Sequence, residues 1–254
     1  MNRQTELRHA RSFQVYYGYG EEERLKEYDL VVVDPAGHTP DGLERLFQAG
    51  TLVIAYVSIM EIRPEDPFFS LLGESDWLRM NGSPVMNEAF GTRLLDLRSN
   101  RWSGLLHHRI GQLLAQARYD GIFLDTLGDL EWPALPPAVR DNQLQAAVGL
   151  IKGIRSVFPD HLLIQNNGLE RLCLTTSEWI DAVCWENPLF FEPHMAWSSS
   201  TADRLSGLCR SKPLRVLLLF EQGPEAERSL PIADQYAEAK DWLICTAGRN
   251  YINI

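Results

Sequence analysis

Short blocks of nearly continuous apolar residues alternate with longer amphipathic stretches along the whole chain. Residues 13–17, 30–34, 52–58, 121–125, 161–166, 182–186, 214–220 and 243–246 are rich in β-branched and aromatic side chains, as parallel strands covered on both faces are. Between them, 21–27, 42–48, 102–117, 138–158, 170–179, 202–209 and 232–240 read as helices, and Pro136 and Pro137 introduce the longest. The alternation predicts an α/β protein, a (β/α)₈ TIM barrel folded as a single domain over 12–254, after a polar N-terminal extension at 1–11. An open doubly wound sheet is the other arrangement of such elements. Its nucleotide-binding form is disfavoured, because no strand runs into a GxGxxG or GxxxxGK[ST] loop. Residues 61–93 break the pattern with Pro64, Pro67, Gly73, Gly82 and Pro84, and 94–97 reads as a short extra strand. A connection that long inside a compact domain usually forms the wall of a site.

A barrel presents its chemistry at the C-terminal ends of its strands. Here those ends are Tyr17, Asp34, Ser58, Asp125, Asn166 with Asn167, Glu186, Glu221 and Thr246. Four carboxylates at the ends of apolar strands point to one solvated cleft, since burial would otherwise be costly. Asp34 precedes Pro35 and suits helix capping equally well. Asp125 is less easily a cap, because the next convincing helix starts beyond Pro133, Pro136 and Pro137. Glu186 follows Trp185, and an aromatic neighbour that excluded water would raise its pKa toward that of a general acid. Two carboxylates facing each other are the requirement of glycoside hydrolysis. Asn166 and Asn167 supply amides for sugar hydroxyls or for orienting a carboxylate, although Asn167-Gly168 also satisfies a turn. Tyr17, Tyr56, Trp132, Trp185 and Trp197 are either sugar platforms or core.

Composition narrows the partners. With 24 Lys and Arg against 34 Asp and Glu, the net charge is -10, which disfavours a nucleic-acid backbone and permits a neutral or cationic ligand. Cys173, Cys184, Cys209 and Cys245 show no CxxC spacing and read as buried thiols. The six histidines are scattered, and there is neither an HExxH nor a GxSxG. No cofactor and no metal are expected, although Asp34, Asp125 and Glu186 keep open a magnesium-dependent lyase or aldolase. A non-catalytic carbohydrate-binding barrel is the third reading. The polar start lacks the apolar stretch of a signal peptide, and no run approaches the ~20 residues of a membrane span. A monomer is expected, cytoplasmic as the chain stands or extracellular after removal of a leader.

YDLVVVD (28–34), AYVSIMEIRPED (55–66), LLDLRSNRW (94–102), YDGIFLDTLGD (119–129), LLIQNNGLE (162–170) and IDAVCWENPLF (180–190) follow one another in an order that resembles glycoside hydrolase family 114. The likeness is to its bacterial and archaeal glycosidases related to endo-α-1,4-polygalactosaminidase, and it spans roughly residues 13–250. It implies a (β/α)₈ barrel that cleaves α-1,4-linked galactosamine polymers or a related polysaccharide without a metal. Asp125 and Glu186 match the family's catalytic positions. Similarity to retaining barrels makes Asp125 the nucleophile and Glu186 the acid/base. Asp34, Tyr56, Glu61, Asp96, Asn166, Asn167, Trp185 and Glu221 are expected to shape the sugar subsite. Two departures concern substrate identity: Met60 stands where the family pattern has glycine, and Asn187-Pro188 follows Glu186 where the family usually has an acid. An acidic cleft would attract a partly deacetylated, cationic polymer.

Overall fold

A computed structural model describes residues 2–254. Eight parallel strands form one sheet in chain order: β1 (Phe13–Tyr16), β2 (Leu30–Val33), β3 (Leu52–Ser58), β4 (Gly121–Asp125), β5 (Leu162–Asn166), β6 (Ala182–Glu186), β7 (Arg215–Glu221) and β8 (Leu243–Ala247). The sheet curls until β1 and β8 lie side by side without a backbone ladder. The Cys245 thiol donates to Gln14 Oε1 across that seam at 2.6 Å. The fold is the (β/α)₈ barrel the alternation predicts.

Period-two alternation decides what each side chain meets. Val15, Val32, Ile54, Phe123, Ile164, Cys184, Leu217 and Cys245 fill the barrel interior. Their neighbours Val31, Val33, Val53, Ile122, Leu163, Val183 and Leu218 pack outward against the helices. Stepping two residues further along the inward rows brings Tyr17, Asp34, Tyr56, Asp125, Asn166 and Glu186 to the C-terminal mouth, and on the longer β7 a second such step, past Leu219, brings Glu221. All the inward positions below them are apolar or weakly polar, so the polar chemistry is confined to one layer.

The helices are α1 (Arg3–His9), α2 (Glu22–Leu25), α3 (Pro40–Gln48), α4 (Asn100–Gln116), α5 (Pro137–Val157), α6 (Leu172–Thr176), α7 (Met195–Ser211) and α8 (Pro224–Lys240). The polar segment before residue 12 is folded at its centre. Arg3 Nε donates to Asp120 Oδ1 at 2.8 Å, Gln4 Nε2 to Asp181 Oδ1 at 3.0 Å, and Leu7 is buried among the barrel residues. These contacts put α1 at the N-terminal end of the barrel, away from the mouth. The helix expected at 170–179 is shorter because the Glu131 carboxylate accepts the backbone N–H groups of Glu170, Arg171 and Leu172, fixing a late start. The last two helices begin earlier than their periodicity indicates, and α8 runs through Pro231.

The excursion at 61–93 is not structureless. Glu61–Ile62, Thr92–Leu94 and Met86–Asn87 make a small antiparallel sheet, and Arg79–Met80 pairs with Ser83–Pro84. The extra strand therefore ends where 94–97 was expected to begin. Arg93 stacks over Trp77 with 4.6 Å between its guanidinium carbon and the ring centre. The sheet stands beside the mouth and carries Glu61 toward it. No helix among the described residues is long and apolar enough to cross a membrane.

Candidate active site

Asp125 and Glu186 end β4 and β6, the two neighbours of β5, and Asn166 ends β5 between them. Asn166 Nδ2 donates to Asp125 Oδ1 and to Glu186 Oε2, each at 2.7 Å. Both acceptor oxygens lie within twice that length, 5.4 Å, of each other. Only the amide nitrogen suits this place, since a carbonyl oxygen between two carboxylates would repel both. Each acid also receives a tyrosine hydroxyl: Tyr56 donates to Asp125, and Tyr251 donates to Glu186 Oε1 at 2.5 Å. Tyr17 lies between those two rings, edge-on to Tyr56 at 4.9 Å and to Tyr251 at 5.4 Å.

Burial raises the pKa of both acids, and for Glu186 the charge of Asp125 adds to it. Hydrogen bonds from Asn166, the Thr126 backbone and Tyr56 pull Asp125 back toward the anion. Tyr251 and Asn166 do the same for Glu186, against the nearby charge of Glu221. The same burial and acids drive the hydroxyls of Tyr17, Tyr56 and Tyr251 upward, so they remain donors. Two like charges this close favour one shared proton over two anions.

Three left-handed residues lock the strand ends. Thr126 has φ 65°, and its Oγ1 accepts the N–H groups of Ile59 and Met60 after β3. Asn167, φ 53°, accepts Glu186 N at 3.1 Å through Oδ1, and Asn187, φ 49°, accepts Glu221 N at 2.8 Å. Asn167-Gly168 is thus both a turn and the fastening that sets the height of Glu186. Met60, standing where the family pattern has glycine, is fully buried and leaves this approach to Thr126 intact.

The remaining expected site residues divide. Asp34 stays on the rim with Oδ1 accepting Ala36 N at 2.9 Å, capping the turn Pro35–Gly37. Glu221 accepts Asn250 N at 2.8 Å. Glu61 accepts from Asn87 Nδ2 at 2.7 Å and Thr92 Oγ1 at 2.6 Å, and its carboxylate faces Asp129 across a hydrogen bond. Burial, the Glu61 hydrogen bond and charge, and the charge of Asp125 push Asp129 up to about 9. This carboxyl pair lines a cavity of about 410 Å³ with Asn87, Trp132 and Pro133. Trp132 is 42% exposed. Asp96 is not brought to the pair: Arg98 and Gln143 Nε2 on α5 hold it, buried, away from the mouth. Trp185 is 2% exposed and packs outward against Phe190 and Trp197. The desolvation of Glu186 comes from the barrel interior, because a residue one step from an inward acid faces the helices. Tyr17 was expected as a strand end, and as a sugar platform or core residue; Tyr251 was not among the expected site residues.

Asp129 yields a measurable consequence. In an unfolded chain it ionises near its ordinary 3.8, in the folded protein near about 9, so folding costs progressively more as pH rises between those values. Asp129→Asn is expected to raise the melting temperature at pH 8 and leave it nearly unchanged at pH 4. Each kcal/mol recovered corresponds to about 2–4 °C in scanning calorimetry.

Asp34, Asp125 and Glu186 do not form a cation-binding set. Among the described residues no three His, Cys, Asp or Glu side chains converge to hold a metal ion. The model of glycoside-hydrolase family GH114 matches residues 2–187. The chain belongs to glycoside hydrolase family 114. It is a glycosidase by that membership. The glycoside hydrolase domain of PelA from Pseudomonas aeruginosa superposes with a TM-score of 0.77 at 19% identity, over 96% of this chain and 97% of that one. Aspergillus fumigatus Ega3, solved in complex with galactosamine, gives 0.68 at 13% identity over 96% and 92%. The α-galactosidase TtGalA from Thermus thermophilus gives 0.59 at 16% identity over 92% and 57%. No curated protein sequence matches the chain.

Proposed function

We propose that the protein is a retaining glycoside hydrolase that cleaves internal α-1,4 linkages of a galactosamine-containing polysaccharide. The observation that carries the mechanism is the single Asn166 amide bonded to both acids, which keeps their nearest oxygens within 5.4 Å. Retaining enzymes hold their carboxyls roughly 5–5.5 Å apart and inverting ones roughly 6.5–9.5 Å apart. Asp125 is the nucleophile, since three hydrogen-bond donors stabilise its anion. Glu186 is the acid/base, holding the shared proton under the added field of Glu221.

Asp125 attacks the anomeric carbon while Glu186 protonates the departing glycosidic oxygen. Glu186 then takes a proton from water, which attacks the same carbon and releases Asp125. Asn166 holds both carboxyls at a fixed spacing throughout. The amino-sugar preference is supported by the Glu61–Asp129 pair beside the cleft, where a substrate ammonium can replace the Asp129 proton as counter-charge. It is supported further by the galactosamine bound to Ega3.

The test is incubation with partially deacetylated α-1,4-polygalactosamine, its fully N-acetylated form and neutral galactans. Reducing ends are counted against Asp125→Asn, and the first-formed anomer is read by NMR. Release of the α-anomer from the deacetylated polymer is expected. Equal cleavage of a neutral galactan overturns the amino-sugar assignment, and a β-anomer overturns retention.

A further inference from the structure

We infer that the segment after β8 is a working part of the site, and that Tyr251 is the positioning residue that reserves Oε1 of Glu186 and leaves Oε2 to carry the proton. The inference deepens the proposed role of Glu186 and rests on that reading for its catalytic consequence. It lies outside the part of the chain that the family model matches, which stops at residue 187.

The direction of the hydrogen bond is fixed by its surroundings. Asn187 Nδ2 donates to Tyr251 Oη at 3.4 Å, so the tyrosine's own hydrogen is left for Glu186 Oε1 at 2.5 Å. Oε2 is the oxygen that shares Asn166 with Asp125, and it faces the side where the scissile bond must lie. A donor held on Oε1 makes that oxygen carbonyl-like whenever the acid is protonated. Oε2 also accepts a donor, Asn166 Nδ2 at 2.7 Å, but the Tyr251 contact on Oε1 is shorter at 2.5 Å, so the transferable proton is biased to the cleft-side Oε2 with no rotation of the carboxyl needed between the two half-reactions.

The segment is fastened in four places. Tyr17 N donates to the Tyr251 carbonyl at 2.6 Å, Asn250 N to Glu221 Oε1 at 2.8 Å, Gly248 N to the Asn253 carbonyl at 3.1 Å, and Arg24 Nη2 to the Ile254 carbonyl at 2.6 Å. Gly248 is required by this return, because a Cβ there would come within 2.6 Å of Asn253 Cβ. Asn250 and Tyr251 both take left-handed φ, 55° and 58°, a costly backbone that persists where surrounding contacts over-determine it. These fastenings hold a phenol that is 9% exposed, packed on Tyr17 with its hydroxyl on Glu186.

The groups that face Glu186 from its neighbours are Asp125, Tyr17, Glu221, Cys184 and the neutral Asn166 amide. Tyr251 adds a donor to the charged form. The test follows the Glu186 ¹³Cδ resonance through a pH titration, in parallel with the pH profile of kcat/KM. Tyr251→Phe is expected to raise the Glu186 midpoint by about one pH unit, to move the alkaline limb of the rate profile up equally, and to lower kcat more than it changes KM. Trifluorotyrosine at position 251, a stronger donor of nearly the same shape, is expected to move both quantities the other way. Those opposite shifts separate proton control from loss of packing, which would move both variants alike. A folded Tyr251→Phe protein with an unmoved Glu186 midpoint overturns the inference, as do shifts of the same sign in the two variants. If the midpoints move as stated but no polysaccharide is cleaved, the positioning role stands and the proposed reaction falls.

Discussion

Asp125→Asn is expected to lower turnover by about ten-thousandfold or more, the scale on which loss of a covalent nucleophile acts, while leaving the fold intact. The substitution keeps the shape and the Asn166 contact at one oxygen but removes the electron pair that attacks the anomeric carbon. Stability is expected to move the other way. Burial raises the pKa of this carboxyl, and its charge opposes that of Glu186, so a neutral side chain relieves a penalty the folded wild type carries at neutral pH. Reducing-end assays and calorimetry on the same sample check both halves. Azide added to Asp125→Gly gives the companion result. It is expected to restore partial turnover and yield a glycosyl azide of configuration opposite to the substrate. Activity of Asp125→Asn within tenfold of wild type removes the nucleophile assignment.

The strands were legible because each is an apolar run with period-two character, and that character also determined which rim residues share a face. Asp125, Asn166 and Glu186 are strand-end residues on three adjacent strands, so their convergence follows once the barrel is assumed. The same rule, applied one residue at a time, would have removed Trp185 from the subsite: adjacent to an inward Glu186, it must face the helices. Asp96 was misleading for a different reason. It sits in a motif with apolar neighbours like those of the true strand ends, but the excursion is closed by its own small antiparallel sheet, and Arg98 lies two residues away to neutralise it. Tyr251 was unreadable from spacing. Its contact with Glu186 depends on a left-handed reversal at residues 250–251 that is encoded by Gly248 and by long-range hydrogen bonds. Asp129 was passed over because its perturbation comes from burial and from Glu61, 68 positions earlier, and proximity of that kind has no signature in local sequence.

Glu186→Gln is the second large effect, and its size is expected to depend on the leaving group. On the natural polymer, whose departing sugar oxygen needs a proton, turnover is expected to fall by about a hundred- to ten-thousandfold. On a dinitrophenyl glycoside, whose phenolate leaves unaided, the first half-reaction is expected to stay near the wild-type rate. The second half-reaction still needs a base to activate water, so the glycosyl-enzyme is expected to accumulate and appear as a burst of dinitrophenol in stopped flow. Two pH consequences accompany it. The alkaline limb of the wild-type profile reports loss of the proton from Glu186, whose pKa is raised by burial and by Asp125, and that limb is expected to vanish in the glutamine variant. The acid limb reports protonation of Asp125 and is expected to stay in place, because Glu186 already holds its proton at that pH and is as neutral as the glutamine that replaces it. A variant slowed equally on both substrates, with no burst, would mean that Glu186 is not the proton donor. The Asn166 bridge would then be holding the acids in the opposite roles.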